Sequence, residues 1–132
     1  MILPKGALVA VVDGEKLVMF KNTGDHEPQL SALPSPEIAA SGSGSGGHAS
    51  SAANPDDSTK AEDGFAVGVA AMLNAQALSG DFDHLLVIAA PKTLGELRKH
   101  WGKPLQAKLV GEMAKDLTGM TTDQIVKAID NA

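Results

Sequence analysis

The chain has 132 residues and a formal charge of −5, which is room for one domain with a core of its own. Cysteine is absent, and this excludes a disulfide framework, a thiolate nucleophile and any cysteine-bound zinc or iron–sulfur centre. An acidic balance with three Phe, one Trp and no Tyr argues against general capture of nucleic acid by charge and against an aromatic platform for single strands.

Ala7 to Val12 (ALVAVV) is an apolar, β-branched run and predicts a strand. Lys16 to Lys21 (KLVMFK) predicts a second. Asp13-Gly14 between them predicts a hairpin whose glycine takes a positive φ. Gln29 to Leu33 predicts the third strand of a meander, placed at a sheet edge. Pro34 and Pro36 then stop the pairing, since each lacks an N–H donor. From Ala39 to Gly64 no apolar residue is larger than Ala, the ring of Pro55 apart. Such a stretch has little to bury, and a flexible Gly/Ser-rich loop is expected at about 39–60.

Thr59-Lys60-Ala61-Glu62 has capping-box spacing and predicts a helix from there to about Leu78. Phe65, Val69, Met72, Leu73 and Gln76 recur on one helical face. Gly64 and Gly68 lie near that face and permit close approach to a sheet. Ser79-Gly80 ends the helix. Leu85 to Ala90 (LLVIAA) is continuously apolar, as a central strand covered on both faces requires. It is also the longest bulky apolar run, far short of the ~20 residues of a membrane span. Thr93-Leu94-Gly95-Glu96 predicts a second capped helix to about Trp101, with Leu94, Leu97 and Trp101 on one face. Leu105 to Leu117 fits two periods. Leu105, Leu109, Met113 and Leu117 have helical spacing, whereas Ala107, Leu109, Gly111 and Met113 alternate as in a strand. Thr121 to Gln124 forms a third capping box and opens a short helix with Ile125 and Ile129.

The resulting order is strand, strand, strand, helix, strand, helix, an ambiguous segment, helix. It is the order of ribonuclease-H-like and release-factor-like α/β domains. Four segments carry a closer likeness: VVDGEKLVMFKN (Val11 to Asn22), SSAANPDD (Ser50 to Asp57), DHLLVIAAPKTLGELRKHW (Asp83 to Trp101) and GEMAKDLTG (Gly111 to Gly119). They resemble the bacterial host attachment proteins, a family described as required for attachment of bacteria to host cells. That family is similar to the middle domain of archaeo-eukaryotic peptide-chain release factors and is grouped with their bacterial relatives. The resemblance implies an α/β fold: a single domain over residues 1–132, with a mixed five-stranded sheet, three helices and ribonuclease-H-like topology. It also implies that about Ala107 to Ala114 is the fifth strand.

In the release-factor domain the loop between the third strand and the first helix carries Gly-Gly-Gln and enters the peptidyl-transferase centre. Here Gly46-Gly47-His48 stands at the comparable place, with His48 where the Gln would be. The resemblance therefore implies two roles. One is a non-catalytic cytoplasmic protein that supports host attachment indirectly. The other is a ribosome- or RNA-associated release or rescue-like factor working through that loop.

Candidate chemistry follows from particular residues. Flanking glycines let the backbone at His48 approach RNA or an ester closely, and an imidazole can act as a base near neutral pH. Between Lys92 and Lys108 five cations stand against one acid, Glu96. That segment is +4, and a total of −5 leaves −9 for the remainder. Arg98 and Lys99 at its centre are the candidate contacts for RNA or an acidic protein partner. A two-metal nuclease needs carboxylates on the first strand, first helix and fourth strand. Asp13 and Glu62 or Asp63 fit the first two places, but the fourth strand ends Ala89-Ala90-Pro91. Asp13 is better explained by its turn, and Asp56-Asp57 by the positive end of the following helix. The glycines at 42, 44, 46 and 47 lead to His48-Ala49, not to the Lys-Ser/Thr of a phosphate-binding loop. His26, His84 and His100 have no zinc spacing, and no Gly-x-Ser-x-Gly elbow occurs. No cofactor or metal site is expected. A ligand at the strand ends near Asp13 and Pro91 is a further option. The start of the chain has no basic flank and no long apolar stretch, so neither a signal peptide nor membrane association is expected, and the expected location is the cytoplasm.

Overall fold

The computed structural model describes residues 3–25, 27–34 and 57–132, with the backbone alone over 57–63. Strands β1 (Leu8–Val12) and β2 (Leu17–Asn22) form the expected hairpin, with Val12 opposite Leu17. Four residues, Asp13 to Lys16, separate the strands. Asp13 N donates to Lys16 O at 2.9 Å, and Asp13 Oδ1 accepts from Glu15 N and Lys16 N at 2.6 Å each. A loop closed by its own aspartate side chain needs no left-handed residue. Gly14 accordingly does not take the expected positive φ; among the described residues Gly6 and Gly80 do.

Strand β3 (Leu30–Leu33) adds to β2 antiparallel, as an edge. The β2–β3 connection is organised by Asn22, whose side chain is wholly buried. Its Nδ2 donates to Leu3 O and Pro4 O at 2.9 and 3.1 Å. Its Oδ1 accepts from Gly24 N and Gln29 N at 3.0 Å each. All four bonding positions of the amide are thus used, as burial of a polar group demands. Gly24 is required here, because a Cβ would run into the carbonyl oxygen of Glu27.

Helix α1 (Asp57–Ser79) begins two residues before the predicted Thr59; the side chains of the proposed capping box lie outside the described residues. It ends on Gly80 at φ +77°. Gly80 N reaches Ala77 O and Asp81 N reaches Gln76 O, the paired bonds of a left-handed glycine cap. The core-facing residues are Ala66, Val69, Ala70, Leu73 and Ala77, with Phe65 and Met72 packed at the margin. Small side chains make up more than half of this contact, so α1 lies close to the sheet.

Strand β4 (Leu85–Ala89) is buried at every position and lies parallel to β1. Helix α2 (Pro91–Arg98) starts at Pro91, ahead of the expected box at Thr93. Proline at the first helical position has the right φ and lacks only an N–H that would be unpaired there. No side chain caps this end, and Glu96 bonds forward to Lys99 instead. The ambiguous segment divides in two. Helix α3 (Lys103–Lys108) is followed at once by strand β5 (Leu109–Ala114), parallel to β4. The expected strand start at Ala107 is therefore two residues early, and the described residues hold a fourth, short helix beyond the three expected. Leu85 pairs with Leu109 but Leu86 with Gly111, so Val110 is an extra residue in a bulge. The bulge puts Leu109 and Met113 on opposite faces of the sheet, although their spacing in the sequence would place them on one. Helix α4 (Thr122–Asp130) has the predicted capping box, formed in both directions between Thr121 and Gln124.

The sheet order is β3-β2-β1-β4-β5. Helices α1, α2 and α3 cover one face over Ala10, Val12, Met19, Leu85 and Val87. Helix α4 covers the other over Val9, Val11, Leu86, Ile88 and Met113. A single α/β unit with a mixed five-stranded sheet is what the sequence led us to expect.

Candidate interaction site

The basic segment forms α2, α3 and the turn between them. Helix α2 buries Leu94 and Leu97, which turns Arg98 and Lys99 outward at its end. The side chains of Arg98 and Lys99 are 56% and 68% exposed. Both are paired. Arg98 Nε lies 3.1 Å from each oxygen of Glu112, which β5 places beneath it. Trp101 Nε1 donates to Glu112 Oε2 at 3.2 Å. Lys99 Nζ meets Glu96 Oε2 at 3.0 Å, and His100 Nε2 lies 3.7 Å from Glu96 Oε1. The hydrogen bond from Lys99 is the main reason that the Glu96 carboxyl sits below its ordinary pKa.

Asn74 of α1 fixes the turn. Its Nδ2 donates to His100 O at 2.7 Å, and its Oδ1 accepts from Gly102 N at 2.8 Å. Lys108 points the other way: Nζ reaches Ala77 O at 2.9 Å and lies 5.8 Å from the centre of the Phe82 ring. It thereby complements the negative C-terminal end of α1 and is turned away from the exposed cations.

A second polar cluster lies where β1 and β5 end. Thr118 Oγ1 is 2.7 Å from Asp13 Oδ2 and 3.1 Å from Asp116 Oδ1. A hydroxyl has one hydrogen, so the shorter approach identifies Asp13 as the acceptor. Burial alone would raise the Asp13 pKa, but bonds from Thr118, Glu15 N and Lys16 N, with the Lys16 charge, outweigh it and hold the carboxyl below its ordinary value. Asp13 is thus a turn and strand-end residue, as its Asp-Gly context implied. Among the described residues no group of three or more His, Cys, Asp or Glu is placed to hold a metal ion.

A cavity of about 160 Å³ opens between the end of α1 and strands β1 to β3, lined by Leu8, Met19, Leu33, Pro34, Gln76 and Asp81. Gln76 Oε1 is buried and accepts no hydrogen bond from the described residues. Sequence reasoning placed Gln76 on the core face but had no means of seeing the cavity beside it.

Of the residues singled out from sequence, Arg98 and Lys99 come together at one exposed corner. Gly46, Gly47 and His48 lie outside the described residues. Glu112, Trp101 and Asn74 were not singled out as site residues, because the contacts that matter join positions 11 to 28 residues apart. Among the described residues no helix is long and apolar enough to cross a membrane.

A meander of three strands and two further strands parallel to the first make a mixed five-stranded α/β domain. The chain belongs to Bacterial archaeo-eukaryotic release factor family 12, which matches residues 6–129. Among curated proteins none matches it.

Proposed function

We propose that this protein is a ribosome- or RNA-associated factor of the release-factor type. The family match over residues 6–129 carries the reading. The strand order β3-β2-β1-β4-β5 supports a ribonuclease-H-like topology for it. The contact residues proposed are Gly46, Gly47 and His48, which precede α1, together with Arg98 and Lys99 at the end of α2. The role is association or rescue in the cytoplasm, and neither a catalytic step nor a cofactor is part of it. Co-sedimentation with ribosomes at low salt tests the reading. The intact protein is expected in the ribosomal pellet, and a chain lacking Ser41 to Ser51 in the supernatant. An intact chain that stays in the supernatant ends the proposal.

A second reading rests on the four segments that resemble the host attachment proteins. In it the protein supports attachment to host cells indirectly, from inside the bacterium. Deleting the gene then lowers adherence, while the protein itself stays off the cell surface. Detection on the surface would overturn this version.

A further inference from the structure

Arg98 is held from one side only. Its Nε bonds to both oxygens of Glu112 at 3.1 Å. Its two terminal amino groups carry four more N–H donors, and these meet no acceptor among the described residues. The Glu112 side chain is 20% exposed against 56% for Arg98. The carboxylate is also gripped by the half-buried indole of Trp101 at 3.2 Å. Trp101 is in turn packed on the α1–α2 core, and its carbonyl accepts from Gln106 Nε2 at 3.1 Å. The chain of support thus runs from the core through the indole and the carboxylate to the guanidinium.

We infer that Glu112 is a positioning residue, which fixes the plane of Arg98 so that its terminal edge receives a phosphate group of RNA. The inference rests on the ribosome- or RNA-associated reading above and adds a residue and a geometry to it. A guanidinium offers two parallel N–H bonds to phosphate, and a lysine offers only a point charge. Holding the guanidinium in place beforehand removes part of the ordering cost of binding. Lys99 and Lys103 belong to the same basic segment as Arg98, against Glu96 within it and Glu112 beneath it, and Lys108 is turned away.

The test is co-sedimentation of the full chain with bacterial ribosomes over a range of salt. Arg98→Lys keeps a cation beside Glu112, and with it the contact between α2 and β5. It is expected to weaken binding about tenfold, as loss of a charge-assisted bond does. Glu112→Gln removes a negative charge from a basic corner, so charge alone would strengthen binding to RNA. A positioning role predicts the reverse, a loss of about the same size. Arg98→Ala is expected to lower the slope of log affinity against log salt by about 0.7 to 0.9. Emission from Trp101, the single tryptophan, reports whether the indole stays in place in each variant. Wild-type affinity in Arg98→Lys, or tighter binding by Glu112→Gln, overturns the inference and leaves the ribosomal reading standing. Failure of the intact protein to sediment at any salt removes both.

Discussion

Asp13 shows how one side chain can serve two parts of the chain. One carboxylate oxygen closes the β1–β2 turn through Glu15 N and Lys16 N, and the other accepts from Thr118, 105 residues away. Burial works against the charge, and the hydrogen bonds outweigh it, so the folded pKa lies below the ordinary one. A carboxyl depressed on folding adds stability above its unfolded pKa and loses it as pH falls through the folded value. Thr118→Val removes the largest of the lowering contributions. The expected result is an acid-unfolding midpoint shifted to higher pH, with a loss on the order of 1 kcal/mol at neutral pH for a partly exposed bond. Circular dichroism through an acid titration measures the shift. Coincident titrations of the two proteins would mean that Thr118 does not set this pKa. The first half of this arrangement was legible in the Asp-Gly pair. The second was not, because a threonine beyond the fifth strand carries no local mark of its partner.

At the scale of elements, the α2–α3 corner depends on a residue from a third helix. Asn74 leaves α1 to bond His100 O and Gly102 N, which fixes the turn that carries Arg98 and Trp101. Gly102 is packed against it: an added Cβ would sit 3.2 Å from Asn74 Oδ1. Asn74→Ala is expected to cost about 1 to 2 kcal/mol, since two backbone groups lose their partner at a partly exposed site. It is also expected to speed hydrogen exchange at Gly102 N. Unchanged exchange there would show that α2 and α3 hold the turn unaided. The elements themselves were readable where one local signal dominated. The apolar runs marked β1, β2 and β4, and the Thr121–Gln124 box marked α4. Reading failed where two local signals competed. At the start of α2, Pro91 overrode the box at Thr93. At α3–β5 helical and alternating spacing overlapped, because a short helix runs straight into a strand, and the fifth strand was expected from a family resemblance. The polar corner was half legible. Arg98 and Lys99 stood out as a charge excess, whereas Glu112, which orients one of them, looked like any glutamate on a strand.

Over the whole molecule, the two faces of the sheet are covered unequally. Three helices share one face, but among the described residues α4 is the one helix over the other. Its Ile125 and Ile129 are buried against Val9, Val11, Leu86, Ile88 and Met113, all on or facing the central strands. Strands β1 and β4 stay apolar on both sides because both sides are covered, so the central sheet depends on a nine-residue helix near the end of the sequence. Burying two isoleucines fully contributes about 3 to 6 kcal/mol, a large share of the 5 to 15 kcal/mol that typically separates folded from unfolded states. A chain truncated after Gly119 is therefore expected to expose a contiguous apolar patch, bind a hydrophobic dye and associate at micromolar concentration. Thr121→Ala, which loses only the cap, is expected to cost about 1 kcal/mol and leave the association state as in the intact protein. Dye fluorescence with sedimentation velocity separates the two cases. A truncated chain that sediments like the intact protein and leaves the dye dark would mean that the strands can close this face without α4.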